Sequence, residues 1–362
     1  MLAGAVVALA MTLVAAPGAS AGSAQADFPR PAAIEPSVEF WVNVFSAYSD
    51  RDFIVMDRGQ VSRIYQVYHL PGYGPPSRHD IEWINAYMKA KYGDILNRLA
   101  TGERPATYQE QRIAELFKGE PPSAYAAAAG NLRVQEGLRE RFRRGLLRAK
   151  YYLPTMERIF RNAGLPPQLV NLAQIESGFQ VRARSGAGAV GIWQFTRGTG
   201  RKYLRINRYR DDRLNPVRET EAAARLLRAN YDEFGDWPLA ITAYNYGTGG
   251  TARAASIYAG DYCKLVRQYD GPRFGFAVKN YYPEFLAALQ VYRYRGRYFP
   301  GIEDEPAIRP ARVEWILHPR HHRSDHHSRL RRTSSHSHWV RIRDHRISAK
   351  VHHRHKPSGQ GA

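Results

Sequence analysis

The sequence has a single cysteine, Cys263, among 362 residues. It has no partner within its own chain, which excludes an internal disulfide framework and any multi-cysteine zinc or iron–sulfur site. There is no G-x-x-x-x-G-K-[ST] motif, and no G-x-G-x-x-G run follows a strand pattern, so the phosphate-cradling loops of nucleotide enzymes are missing. Acidic residues are scarce: 33 Asp and Glu stand against 53 Lys and Arg, a net charge of +20. The only long apolar run, residues 2–16, is shorter than the ~20 residues a helix needs to cross a bilayer. Two small-x-small sites follow it, Ala19-Ser20-Ala21 and Ala24-Gln25-Ala26. That is the layout of a secretory signal peptide over 1–26, although Lys and Arg are missing from its first residues. The expectation is an exported protein of the periplasm or cell envelope, with an uncleaved anchor as the alternative. No cysteine lies near the cleavage sites to take a lipid, so a lipoprotein is not expected.

What is present is enough apolar material, 44% of residues, to bury a core, and a length that suits about two domains. Residues 27–130 read as a partly helical N-terminal region of unknown role. Ile81, Ile84, Tyr87, Met88, Ile95, Leu96 and Leu99 predict a helix over 80–100, and Thr107 with Glu110 offers a capping box for the next. Residues 131–300 are densely helical. Pro154 is expected to start a helix that stops at Gly164, Pro166-Pro167 another, Pro216 and Glu219 a third that runs to Gly235, and Pro238 a fourth. No long alternating strand interrupts them, so the fold class expected is mainly α.

Residues 301–362 change character. From Arg309 onward there are thirteen Lys or Arg against three acids, half of the chain's net charge, together with eleven of its 13 histidines. So few apolar residues cannot bury a core, and the stretch reads as a disordered basic tail. It suits anionic cell-envelope polymers or a membrane surface. No set of four ligands has metal-site spacing, no cofactor is expected, and nucleic acid is not expected as a physiological partner.

The informative stretch is 164–200. Leu169, Leu172 and Ile175 fall on one helical face, and the helix should end near Gly178. Glu176 then sits on the last turn, at the edge of the buried face and against the C-terminal end of the dipole. Both circumstances favour a protonated carboxyl, as a general acid requires. The small residues Ser185, Gly186, Ala187, Gly188, Ala189 and Gly191 let backbone approach a ligand closely, and Ile192-Trp193-Gln194-Phe195 offers an aromatic face beside an amide that suits a sugar ring.

Three segments in order, Glu176-Ser177, then Ser185-x-x-Gly188-Ala189-x-Gly191-Ile192-Trp193-Gln194, then Ala243-Tyr244-Asn245-Tyr246-Gly247, resemble the lytic transglycosylase domain of the soluble lytic transglycosylase type. The resemblance is best over about 150–295. It implies a lysozyme-like α domain acting on peptidoglycan glycan strands, with Glu176 as the sole catalytic acid and base. It further implies substrate contacts from Ser177, Ser185, Gln194, Tyr244 and Asn245. Tyr281, from Tyr281-Tyr282-Pro283-Glu284-Phe285-Leu286-Ala287, is the counterpart of an active-site tyrosine, with Tyr282 the choice if the register slips by one. The family's reaction cuts the β-1,4 bond between N-acetylmuramic acid and N-acetylglucosamine and closes a 1,6-anhydro ring.

Other readings of the same residues stand beside these. Trp193 and Tyr244 are as readily core aromatics, and Asn245 before a glycine is as readily a helix cap. Arg182, Arg184, Arg197, Arg201 and Lys202 read slightly better as a solvated face than as a guide for anionic glycan peptides. Most glycoside hydrolases need a second carboxylate ~5–9.5 Å from the first. Only Asp211 and Asp212 offer themselves, and both read better as caps. The alternatives carried are therefore a muramidase that uses water and a non-catalytic peptidoglycan-binding scaffold.

Overall fold

A computed structural model of the chain describes residues 28–310. The expected signal peptide and the basic tail from 311 onward lie outside the described residues. The described part is mainly α, with one small sheet. In chain order it comprises α1 (Glu35–Ser46), β1 (Asp52–Asp57), β2 (Ile64–His69), α2 (Arg78–Ala100), α3 (Tyr108–Glu115), α4 (Ser123–Gly130), β3 (Leu132–Glu136) and α5 (Arg139–Asn162). There follow α6 (Leu172–Ser177), α7 (Arg197–Gly200), α8 (Pro216–Phe234), α9 (Trp237–Tyr246), α10 (Thr248–Ile257), α11 (Tyr262–Gln268), α12 (Phe276–Arg293) and α13 (Arg295–Tyr298).

Several helices begin where local chemistry dictates. Ser77 and Asp80 exchange side-chain and backbone hydrogen bonds at the start of α2, and Thr107 and Glu110 do the same for α3. The helix expected to begin at Pro154 instead begins at Arg139 and carries Pro154 in its interior. A mid-helix proline costs ~3 kcal/mol. One continuous buried face of Phe142, Leu146, Leu147, Leu153, Met156 and Phe160 outweighs it. Pro167 opens a single 3-10 turn, Pro167–Asn171, which leads into α6. α8 begins at Pro216 with Glu219 in its first turn, as expected, and Asn215 caps it, its side chain accepting from the N–H groups of Val217 and Arg218.

The sheet is the element the sequence pattern does not announce. Its order is β2-β1-β3, antiparallel throughout, with Phe53 opposite both Tyr68 and Glu136. Phe53 and Val55 point into a smaller core with Tyr65, Ile84, Tyr92, Leu96 and Phe117, whereas Ile54 and Met56 point into the larger core. A strand covered on both faces shows a continuous apolar run instead of alternation, which is why Phe53-Ile54-Val55-Met56 carries no period-2 signal.

The larger core is built around α12. Its Tyr282 and Phe285 are fully buried, and α9 and α1 lie along it. The first described residues are part of this core. Phe28 packs on Trp237 and Phe285, Tyr282 donates to the carbonyl of Pro29 at 2.8 Å, and Trp41 donates to Asn280 at 3.0 Å. At the other end, Lys150 of α5 donates to the carbonyls of Ile302, Glu303 and Glu305, tying the chain after α13 along that helix.

Candidate active site

The short helix α6 ends as the sequence requires. Gly178 adopts a left-handed conformation (φ 57°) and its N–H returns to the carbonyl of Gln174. Glu176, on that last turn, is 9% exposed. Tyr281 of α12, itself buried, donates its hydroxyl to Glu176 Oε1 at 2.5 Å. Tyr282 points the other way, to Pro29. The geometry thus selects Tyr281 over Tyr282 as the tyrosine beside the glutamate.

Two further contacts fix α6. Arg148 of α5 donates to the carbonyl of Gly178 at 3.1 Å, placing a cation at the helix C-terminus where the dipole favours one. Gly145 lets α5 approach closely, since a Cβ there would lie 2.4 Å from the side-chain amide of Gln174, which donates to the carbonyl of Phe142.

Residues 183–195 fold into a tight loop beside α6, with paired backbone bridges from Arg184 to Val190 and from Val190 to Phe195. Ser185 closes it, its hydroxyl accepting from Ala189 N–H at 3.0 Å. Gln194, with φ 52°, donates from its amide to the carbonyls of Gly191 and Ala183. Tyr244 of α9 donates to the carbonyl of Trp193 at 2.9 Å. Asn245, next to it, has a buried amide nitrogen with no hydrogen-bond partner. The helix cap expected of Asn245 is filled by Gly247.

Two expectations for this loop are corrected. Trp193 offers no face to a sugar: it is fully buried and stacks on Phe160 at 5.5 Å, with its indole N–H donated to Thr220. Ser177 is also fully buried. Its hydroxyl donates to the carbonyl of Ile192 at 2.8 Å and accepts from Gln180 N–H at 3.1 Å, so it braces the loop and does not meet a substrate. The basic residues around the loop, Arg182, Arg184, Arg197, Arg201 and Lys202, are all exposed.

The carboxylates that a hydrolase would recruit are engaged elsewhere. Asp211 grips Arg213 with both oxygens, at 2.9 and 2.6 Å, and this hydrogen bonding holds its carboxyl below the usual range. Asp212 lies between Arg210 and Arg218. Arg213 in turn donates to the carbonyls of Gly188 and Phe195.

One residue was not singled out as functional from sequence. Glu219 of α8 is fully buried and receives the N–H groups of Ile192 at 2.8 Å and Trp193 at 3.1 Å on its two oxygens. Burial pushes its carboxyl well above the usual range, opposed by these two hydrogen bonds and by Arg213. The signal was present in helical phase: Glu219 shares a face with the buried Ala222, Ala223, Leu227 and Asn230.

Residues 157–261 match the family described as the Transglycosylase SLT domain. The match contains Glu176, the 183–195 loop, Glu219, Tyr244 and Asn245, while Tyr281 lies beyond its end. Membrane-bound lytic murein transglycosylase D of Escherichia coli K12 is 34% identical over 159 residues, which is 42% of this chain and 34% of that protein. The transglycosylase of Enterobacteria phage PRD1 is 36% identical over 85 residues, 23% of this chain and 30% of that protein. The chain therefore spans about a third of the length of these relatives. The X-ray structure of an inactive mutant of lytic transglycosylase Slt from Pseudomonas aeruginosa aligns at 20% identity with a TM-score of 0.35, covering 60% of this chain and 36% of that one.

Proposed function

We propose that the protein is an exported peptidoglycan lytic transglycosylase that cuts the β-1,4 bond between N-acetylmuramic acid and N-acetylglucosamine and leaves 1,6-anhydromuramic ends. The observation that carries this reading is Glu176, nearly buried, with one carboxyl oxygen held by Tyr281 at 2.5 Å. As an acid, Glu176 protonates the leaving glycosidic oxygen. As a base, the same carboxylate then takes the proton of the C6 hydroxyl as that oxygen attacks the anomeric carbon. No second protein carboxylate enters the sequence, and this agrees with the engagement of Asp211, Asp212 and Glu219 in structural bonds.

The substrate class is supported by the SLT match and by the relative named for murein. Ser185, Gln194, Tyr244 and Asn245 are assigned to glycan binding, with the unmet amide donor of Asn245 the clearest of the four. Residues 131–300 are assigned as the catalytic unit, with residues 28–46 packed against it. Export rests on the leader pattern of residues 1–26 and agrees with the name of the membrane-bound relative. Among the described residues no helix is long and apolar enough to cross a membrane.

The test is Glu176→Gln on purified sacculi in ¹⁸O-labelled water. General acid and base assistance are each worth ~10²–10⁴-fold, so losing both reduces turnover by several orders of magnitude while the fold is retained. Wild-type product carries 1,6-anhydro ends without ¹⁸O. Reducing ends labelled with ¹⁸O establish a muramidase instead, and absence of any cleavage by wild type establishes a scaffold.

A further inference from the structure

A buried carboxylate needs a reason. Glu219 is 0% exposed, and its hydrogen bonds are the two backbone N–H groups of Ile192 and Trp193. An apolar side chain would fill the same space without the cost of desolvating a polar group. Such groups persist where they specify register, and the register here is that of the segment beside α6.

The two residues whose N–H groups Glu219 holds face the site through their carbonyls, that of Ile192 lying in the same peptide unit as the Trp193 N–H and that of Trp193 in the next unit along. The carbonyl of Ile192 accepts from Ser177, the residue after Glu176, and the carbonyl of Trp193 accepts from Tyr244. Gly191 shows how closely the carboxylate seats itself. A Cβ there would lie 2.2 Å from Glu219 Oε1 and 2.1 Å from the carbonyl of Arg213, and its φ of 95° is one that side chains avoid. On the loop's other carbonyls, Arg213 takes Gly188 and Phe195. A buried carboxyl group thus accepts from two of the loop's donors while a buried cation donates to two of its acceptors.

We propose that Glu219 is a positioning residue for glycan cleavage, setting the position of Glu176 through Ile192 and Ser177 and that of Tyr244 through Trp193. This rests on the assignment of Glu176 as the acid and base. The carboxylate acts on geometry alone and exchanges no proton with the substrate.

Glu219→Gln is nearly isosteric, but one of its two head atoms is a donor, so it leaves either the Ile192 or the Trp193 N–H facing an NH₂ group. Misplacing a reacting group by ~1 Å costs up to ~10²-fold in rate. The expected result on soluble glycan strands is a kcat lower by tenfold or more per folded molecule, with KM within threefold of wild type. Amide exchange at Ile192 and Trp193 should quicken by at least tenfold. Thr220→Val, which removes the indole partner of Trp193 and leaves the backbone clamp in place, keeps kcat within twofold even where it lowers Tm. If folded Glu219→Gln keeps wild-type kcat, or if Thr220→Val lowers kcat to the same degree, the carboxylate is merely structural and the proposal is wrong. Should Glu219→Gln fail to fold, Ser177→Ala cuts the same linkage one step later and must show the same kcat-against-KM signature. Glu176→Gln measured in parallel separates the two ideas: full turnover by that variant removes the assignment of Glu176, whereas the amide-exchange result still decides whether Glu219 holds the loop.

Discussion

Tyr281→Phe removes one oxygen atom, and the structure says what that atom does. The phenol donates to Glu176 Oε1 at 2.5 Å from a ring that is itself 3% exposed, so little water is at hand to replace it. A hydrogen bond to a charged group contributes ~1.5–3 kcal/mol. At 1.36 kcal/mol per tenfold, that corresponds to a fall in kcat on the order of 10- to 100-fold if the bond is needed while Glu176 carries its charge. Deleting a hydroxyl creates almost no cavity, so Tm should move by only a few degrees. The informative control is Tyr282→Phe. Its hydroxyl bonds the carbonyl of Pro29, at the junction of residue 29 with α12, and its loss should cost stability without a change in kcat. The assay is release of anhydromuramic ends from sacculi under saturating substrate, corrected for the folded fraction. Equal rates for wild type and Tyr281→Phe would refute the role of the tyrosine. Equal losses in the two tyrosine variants would refute the claim that position 281, and not 282, serves the glutamate.

Three further outcomes follow from the same contacts. Gly191→Ala should destabilise the protein by ~2–4 kcal/mol, read from urea unfolding, because the new methyl meets the Arg213 carbonyl and Glu219 while the backbone stays left-handed. Asp211→Asn should flatten the acid side of the stability profile. The native carboxyl is held below its usual range by Arg213, so its charged form stabilises the fold above the ordinary carboxylate value, and that contribution is lost as pH falls through the native value. The variant is accordingly weaker than wild type at neutral pH, and the gap closes in thermal melts as pH falls below the ordinary carboxylate range. Removing residues 311–362, which hold most of the histidines and a large share of the positive charge, should leave turnover on soluble strands intact while weakening binding to sacculi at low salt. At ~1 M salt, where charges are screened beyond ~3 Å, the two forms should bind alike, and equal binding at low salt would show the tail to be inert.

How much of this was legible in the sequence depended on how far each signal had to reach. The cap of α3 completes itself within four residues, Thr107 with Glu110, and it read correctly. The end of α6 at Gly178 read correctly for the same reason, and it placed Glu176 on the last turn. What failed depended on partners far along the chain. Phe53-Ile54-Val55-Met56 has no strand period because two separate cores cover it. Pro154 looked like a start because the face that overrides it belongs to helices α6 and α8 as much as to α5. Trp193 looked like a sugar platform because nothing local reveals that Phe160 covers its ring.

Glu219 lies between these cases. As an acidic residue in the first turn of a helix it satisfies the dipole rule, and that sufficient local explanation conceals the distant one. Its phase on the buried face of α8 contradicted the local reading, since a solvated carboxylate does not share a stripe with Ala222, Ala223 and Leu227. A polar group in phase with the core must find its partners in the tertiary structure, because leaving it unmet costs more than replacing it. Here the partners are N–H groups of the loop that follows α6, 26 and 27 residues earlier in the chain. The conflict between composition and phase is thus itself a signal for a residue that positions a site without touching its substrate.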